Sequence, residues 1–231
     1  MSKQIVALGG GGFSYEPEFP YLDRYILDLT GKEQPKVCFL PQASAESEIY
    51  IVRFYRAFTE LGAIPSWQGF FREVPLNFGE HLLEQDVIYV GGGNTFSMLA
   101  IWKAWGVDKI LAQALENGTI LAGISAGAIC WFEQCVTDSA KPMTLIEGLG
   151  WLEGSCSPHY DGEAMRRPTV ARLLKDGMLP CTALDDYAAA HYVDGELHQV
   201  ITSRKTANSF RVTLDNGDVI ETTMKSEYIG E

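Results

Sequence analysis

The sequence predicts an α/β fold: a mostly parallel sheet with helices on both faces, finished by C-terminal antiparallel hairpins. Three observations carry that expectation. Short runs that are apolar almost throughout, at Ile5–Leu8, Lys36–Leu40 and Asp86–Val90, read as strands buried on both faces, the mark of a parallel sheet. Segments with helical apolar spacing alternate with them, which supplies the covering helix that each parallel connection needs. Beyond Tyr187 the pattern turns short and alternating, with hairpin signals at Asp194-Gly195 and Asn216-Gly217.

Taken in order, Ile5–Leu8 empties into the glycine run Gly9–Gly12, a loop at a strand's carboxyl end. A dinucleotide fold opens in the same way. Its fingerprint, however, needs a third glycine where Ser14 stands, and the second strand ends in Pro41-Gln42 with no acid to hold a ribose. A nucleotide cofactor is therefore not expected. Tyr21–Leu29 has helical spacing. Glu46–Leu61 has it more strongly, with Ile49, Ile51, Val52, Tyr55, Phe58 and Leu61 on one broad face and Gly62 as the stop. A strand near 64–69 follows, and then Asp86–Val90, which ends in Gly91-Gly92-Gly93-Asn94-Thr95. Phe96–Trp105 and Val107–Glu116 read as two helices, and Gly118–Ala122 as the strand that carries Ser125. The apolar residues through Phe132 read as the helix after it. Leu149–Cys156 reads as a strand, Glu163–Lys175 as a helix stopped by Gly177, and Thr182–Asp186 as a further strand. No Ser/Pro/Gly linker or charge block divides the chain, so one domain over residues 1–231 is expected.

Composition narrows the function classes. With 46% hydrophobic and 21% charged residues, the chain can bury a large core. A formal charge of −12 without a basic stripe argues against nucleic acid or an anionic membrane as partner. The five cysteines are scattered, odd in number and without a C-x-x-C pair, so they read as reduced thiols. The first apolar run is too short for a signal-peptide core and no run of 18 apolar residues occurs, which points to the cytoplasm.

Gly123-Ile124-Ser125-Ala126-Gly127 fits the G-x-S-x-G nucleophile elbow, a sharp strand-to-helix turn that holds a serine hydroxyl clear of the sheet. A serine is a poor nucleophile at neutral pH, so it needs a base within hydrogen-bond reach and donors for the oxyanion. Of the four histidines, His81 sits beside leucines at a helix start, and His191 and His198 fall in the hairpin region. His159 follows a strand in a loop, where a parallel sheet presents catalytic groups, and this places it with Ser125 over one sheet edge. The acid that fixes the imidazole tautomer is Asp186, at a strand end, or one of Asp138 and Glu133, between serine and histidine in sequence; Asp186 is preferred and Asp138 is second. The backbone N–H of Ala126 and one from Gly92 or Gly93 form the natural oxyanion pair, since glycine lets the backbone approach a substrate carbonyl.

Gly91-Gly92-Gly93-Asn94-Thr95-Phe96, the elbow itself, and Ser157-Pro158-His159-Tyr160 together resemble the peptidase E family of serine peptidases. That family is related to cyanophycinase and to the class I glutamine amidotransferase-like fold. The resemblance runs from about residue 3 to residue 200. It implies an α/β sandwich, a Ser-His-acid mechanism without metal or cofactor, and a small peptide as the substrate, with Asn94 and Tyr160 as substrate-contact candidates. Peptidase E is an aspartyl dipeptidase that needs a basic pocket, and Arg166, Arg167, Arg172 and Lys175 are the nearest basic residues after His159. A homodimer is compatible with this reading. Two other readings use the same residues: a related acyl hydrolase, either an esterase or an isoaspartyl-type enzyme, and a binding protein that keeps a relic elbow.

Overall fold

The computed structural model describes residues 2–231. The first half of the chain alternates strand and helix: β1 (Gln4–Leu8), α1 (Gly12–Tyr15), α2 (Tyr21–Asp28), β2 (Lys36–Leu40), α3 (Glu48–Glu60) and β3 (Ile64–Trp67). It continues through α4 (Phe78–Leu83), β4 (Val87–Val90), α5 (Thr95–Trp105), α6 (Val107–Glu116), β5 (Ile120–Ile124) and the single turn α7 (Ala126–Ile129). The second half holds β6 (Phe132–Thr137), β7 (Thr144–Glu147), β8 (Leu152–Ser157), α8 (Arg166–Lys175) and β9 (Cys181–Leu184). It ends with β10 (Ala188–Val193), β11 (Glu196–Thr202), β12 (Ser209–Asp215), β13 (Asp218–Thr223) and β14 (Ser226–Tyr228).

These strands make two sheets. The larger has the order β14-β11-β10-β1-β5-β4-β2-β3, in which β1, β5, β4, β2 and β3 are parallel and β10 pairs antiparallel with β1. The smaller has the order β13-β12-β9-β8-β6-β7, with β6, β8 and β9 parallel at its centre. The alternation of side chains along a strand divides β1 between two cores. Val6 and Leu8 join α2 and α3 through Phe13, Phe39, Phe54 and Phe58. Ile5 and Ala7 face α5, α6 and α7, a core that also takes in Leu152 and Cys156 of the smaller sheet. The opposite face of the smaller sheet packs against α8 through Val170, Leu173 and Leu174.

Three expectations change. The helix expected through Phe132 is one turn long, and β6 begins at once, because the segment crosses from the larger sheet to the smaller. The hairpins are not one terminal extension. Asp194-Gly195 closes β10–β11 on the larger sheet, whereas Asn216-Gly217 closes β12–β13 on the smaller. All four turn residues have positive φ, at 52°, 87°, 50° and 91°, as the turn matching strand twist requires. The buried face of α3 is also rotated from the expected one. Ile51, Phe54, Ala57 and Phe58 are buried, while Ile49 and Val52 are 69% and 67% exposed. Phe54 decides the rotation by stacking on Phe39 and Phe58, with ring centroids 4.6 and 4.3 Å away.

Candidate active site

Ser125 stands between β5 and α7 with φ 57° and ψ −111°, a backbone state that costs about 1–3 kcal/mol and persists only where its surroundings enforce it. The flanking glycines do the enforcing. A Cβ on Gly123 would lie 2.3 Å from the Gly127 carbonyl oxygen, and one on Gly127 would lie 2.3 Å from that of Val90. The Ser125 N–H donates to the Leu8 carbonyl at 3.0 Å, which ties the turn to β1.

His159 arrives from the other sheet. β8 ends at Ser157, and the loop beyond it holds His159 at φ 50° with its N–H donating to the Gly9 carbonyl at 3.3 Å. β9 is the parallel neighbour of β8, with Ser157 opposite Ala183, so the loop after β9 leaves from the same end and delivers Asp186. His159 Nδ1 lies 2.6 Å from Asp186 Oδ1, and Nε2 lies 2.8 Å from Ser125 Oγ. With its proton on Nδ1, the ring donates to Asp186 and Nε2 is left to accept the serine proton. Asp186 is fixed in turn by its own N–H, which donates to Asp161 Oδ1 at 2.8 Å.

The glycine run after β1 belongs to this arrangement. A Cβ on Gly9 would meet the Asp185 carbonyl at 2.3 Å, and one on Gly10 would meet Asp186 Oδ1 at 1.9 Å. The run is glycine because it passes directly against the loop that carries the acid. Gly12 has φ 54° and abuts the Asp23 carboxyl group, an oxygen of which accepts the Phe13 N–H at 2.5 Å and so anchors α1. Burial pushes the Asp23 carboxyl up to about 7. Tyr15, at the end of α1, lies nearly parallel over the His159 ring, with centroids 6.3 Å apart.

Of the oxyanion candidates, Ala126 opens α7, where an N–H has no intrahelical partner. Gly92 is also adjacent, since its Cβ position is 3.3 Å from Ser125 Cβ. Its N–H donates to the Tyr50 hydroxyl over a long 3.4 Å. Gly93 has φ 134° and presses on Ala43, where a Cβ would fall 2.2 Å from the carbonyl oxygen.

Other expected residues do different work. Asp138, the alternative acid, is 61% exposed in its side chain and faces Arg166 at 3.6 Å, while both imidazole nitrogens are taken by Asp186 and Ser125. Asn94 caps α5, accepting the Ser97 N–H at 2.8 Å, and its amide donates to the Ser139 carbonyl at 3.3 Å. Its side chain thus serves as the helix cap. Tyr160 points away, into the core under α8, where its hydroxyl donates to Glu221 and Arg167 sits 4.3 Å over its ring. Three of the basic residues after His159 are likewise engaged, while Lys175 is exposed. Arg166 is buried on Glu163 and the Val136 carbonyl, Arg167 is paired with Glu221, and Arg172 faces Asp176.

A cavity of about 310 Å³ opens onto the nucleophile, lined by Ser125, His159, Gly92 and Gly93 together with Ser14, Tyr15, Tyr50 and Arg53. Sequence reasoning missed the last four. For Ser14 and Tyr15 a signal existed: they follow β1, the parallel neighbour of β5, so their loop emerges at the edge where Ser125 stands. Tyr50 and Arg53 are three apart on α3 and share a helix face. Among the described residues, no group of three or more His, Cys, Asp or Glu is arranged to hold a metal, and no helix is long and apolar enough to cross a membrane.

Comparison with known proteins gives a consistent picture. The sequence model of peptidase family S51 matches residues 5–200. The uncharacterized peptidase YgaJ of Bacillus subtilis is 49% identical over 230 residues, covering 99% of this chain and all of that protein. Peptidase E of Haemophilus influenzae is 26% identical over 197 residues, or 78% of this chain and 85% of that one. Among solved structures, a peptidase from an acI-B1 Actinobacterium aligns over 98% of this chain and 95% of its own, with TM-score 0.69 and 18% identity. A candidate peptidase E from Listeria monocytogenes aligns over 97% of this chain and all of its own, with TM-score 0.61 and 19% identity. At those identities the two structures speak to the fold.

Proposed function

The chain belongs to peptidase family S51 and is a serine-type peptidase, and from that premise we propose that it hydrolyses short peptides in the cytoplasm, with Ser125 as nucleophile. In this reading Ser125 Oγ attacks the scissile carbonyl while His159 Nε2 takes its proton, and the same nitrogen later delivers that proton to the leaving amine. Asp186 holds the imidazole in the required tautomer and stabilises the imidazolium as it forms. The N–H groups of Ala126 and Gly92 receive the oxyanion, which competes readily with the long bond from Gly92 to Tyr50. A cavity of about 310 Å³, at the small end of ligand sites, supports a short substrate.

One observation carries the proposal: an unbroken line of contacts from Asp186 through His159 to Ser125, at 2.6 and 2.8 Å. A fluorophosphonate probe tests it. Labelling is expected on Ser125 in the wild type and absent in a Ser125→Ala variant that keeps the wild-type circular dichroism spectrum. Peptide turnover in that variant should fall by about 10³-fold or more. Modification of another residue, or undiminished turnover, overturns the assignment. Parallel panels of peptides and esters separate a peptidase from a more general acyl hydrolase.

A further inference from the structure

In a chain of net charge −12, Arg53 is, among the described residues, the one Lys or Arg that lines the Ser125 cavity. Among the described residues it has no carboxylate within ion-pairing distance, although its helix neighbour Arg56 is held by Glu60 at 3.0 Å. Arg53 also lines a second cavity of about 350 Å³, together with Ser14 and Tyr15, which are common to both. The two cavities therefore adjoin, with Arg53, Ser14 and Tyr15 in their shared wall.

The position of that wall relative to the chemistry gives it a role. The leaving nitrogen must lie within hydrogen-bond reach of His159 Nε2, because that atom protonates it. Tyr15 lies over the His159 ring. The shared wall therefore stands beside the imidazole that would protonate the leaving nitrogen. An exposed guanidinium there, with no internal partner, is a ready fork for a planar anion. We infer that Arg53 binds the terminal carboxylate of the leaving residue, which makes it a specificity-determining residue that selects peptides cut next to a free C-terminus. The inference rests on the peptidase reading of Ser125. It requires no oxidant, metal or second protein. Arg53 neither donates nor accepts a proton in the reaction; it places the scissile carbonyl by holding the chain beyond it.

Binding to the Ser125→Ala variant tests this without turnover. Four dipeptides serve as ligands in calorimetric titration: free acids and C-terminal amides, each with a neutral or an acidic first residue. The free acids should bind about 10- to 100-fold more tightly than the amides whatever the first residue, as a charge-assisted pair implies. Adding Arg53→Gln should abolish that preference, while Arg53→Lys should retain part of it, because lysine keeps the charge and loses the fork. Three outcomes overturn the inference: a preference that follows the acidic first residue and not the terminus, a preference unchanged in Arg53→Gln, or no binding of any of the four. Fluorophosphonate labelling of wild type and of Arg53→Gln separates the two claims. If both proteins label on Ser125 and the binding preference is missing, Arg53 is misassigned while the nucleophile stands. If neither labels, the nucleophile falls.

Discussion

Asp186 is the residue on which the orientation of His159 turns, and its slot is walled by glycine. A Cβ on Gly162 would lie 2.5 Å from Asp186 Oδ2, and one on Gly10 would lie 1.9 Å from Oδ1. Asp186→Asn keeps the shape of this slot but favours the wrong imidazole tautomer, so kcat should fall by about 10³- to 10⁴-fold. Asp138→Asn removes only the 3.6 Å contact to Arg166, which keeps its shorter bonds to Glu163 and the Val136 carbonyl, and should leave kcat within about threefold. Steady-state kinetics on one peptide substrate checks both, and reversed effects would return the acid to Asp138. Ser125 was legible because the elbow glycines dictate a backbone geometry that the spacing alone encodes. His159 was legible because it follows a strand. Choosing between the two acids needs the knowledge that β9 lies beside β8, which no local pattern records. The cavity wall was illegible for a related reason: Tyr15 and Arg53 come from elements far apart in sequence, and only the folded sheet order brings them together.

At the scale of elements, the strands buried on both faces and the helices between them could be read from the chain, since continuous apolar runs have few other uses. The smaller sheet was less legible. Its strands carry patterns such as Phe132–Thr137, with buried, exposed and intermediate positions mixed, and that periodicity does not announce which sheet a strand joins. The rotation of α3 was misjudged because its sequence is apolar on two faces, and the aromatic stack under Phe54 selects one of them. Two glycine substitutions separate conformational cost from steric cost. Gly217 has φ 91° with open space around it, so Gly217→Ala should lower stability by about 1 kcal/mol through the backbone alone and leave turnover unchanged. A Cβ at Gly127 has nowhere to go but into the Val90 carbonyl, so Gly127→Ala should cost several times as much and abolish activity. Urea denaturation with matched activity assays measures both; equal losses would mean the elbow tolerates more movement than its contacts allow.

For the molecule as a whole, two buried titrating groups pull the pH dependence of stability in opposite directions. Asp23, raised from 3.8 to about 7 mainly by burial, stays protonated in the fold where the unfolded chain has already ionised. Its contribution is complete below pH 3.8 and is lost as pH rises to about 7, by at most roughly 1.4 kcal/mol per pH unit. His191 runs the other way. Burial lowers it from 6.5 to about 4, its ring nitrogens meet the Tyr25 hydroxyl and the Gln4 side chain, and it favours the fold above pH 6.5 and loses that contribution as pH falls toward 4. Asp23→Asn, which can still accept the Phe13 N–H, should remove the first trend. The stability difference between wild type and variant should then shift against the wild type between pH 4 and 7, measured by denaturant titration at several pH values. A difference that stays flat would mean that Asp23 is ionised throughout.

Ser125 stands on one sheet, and His159 and Asp186 stand on the other. The two halves of the proposed catalytic machinery are therefore held in register by the core between them, in which Ala126 and Trp131 meet Leu152 and Cys156, and by the backbone bonds from His159 and Tyr187 to the glycine run after β1. Any slippage between these layers, even one that leaves each layer folded, would part the imidazole from the hydroxyl by more than a proton can cross. Hydrolysis thus acts as a gauge of interlayer alignment, and it should fade under stress before the secondary structure does.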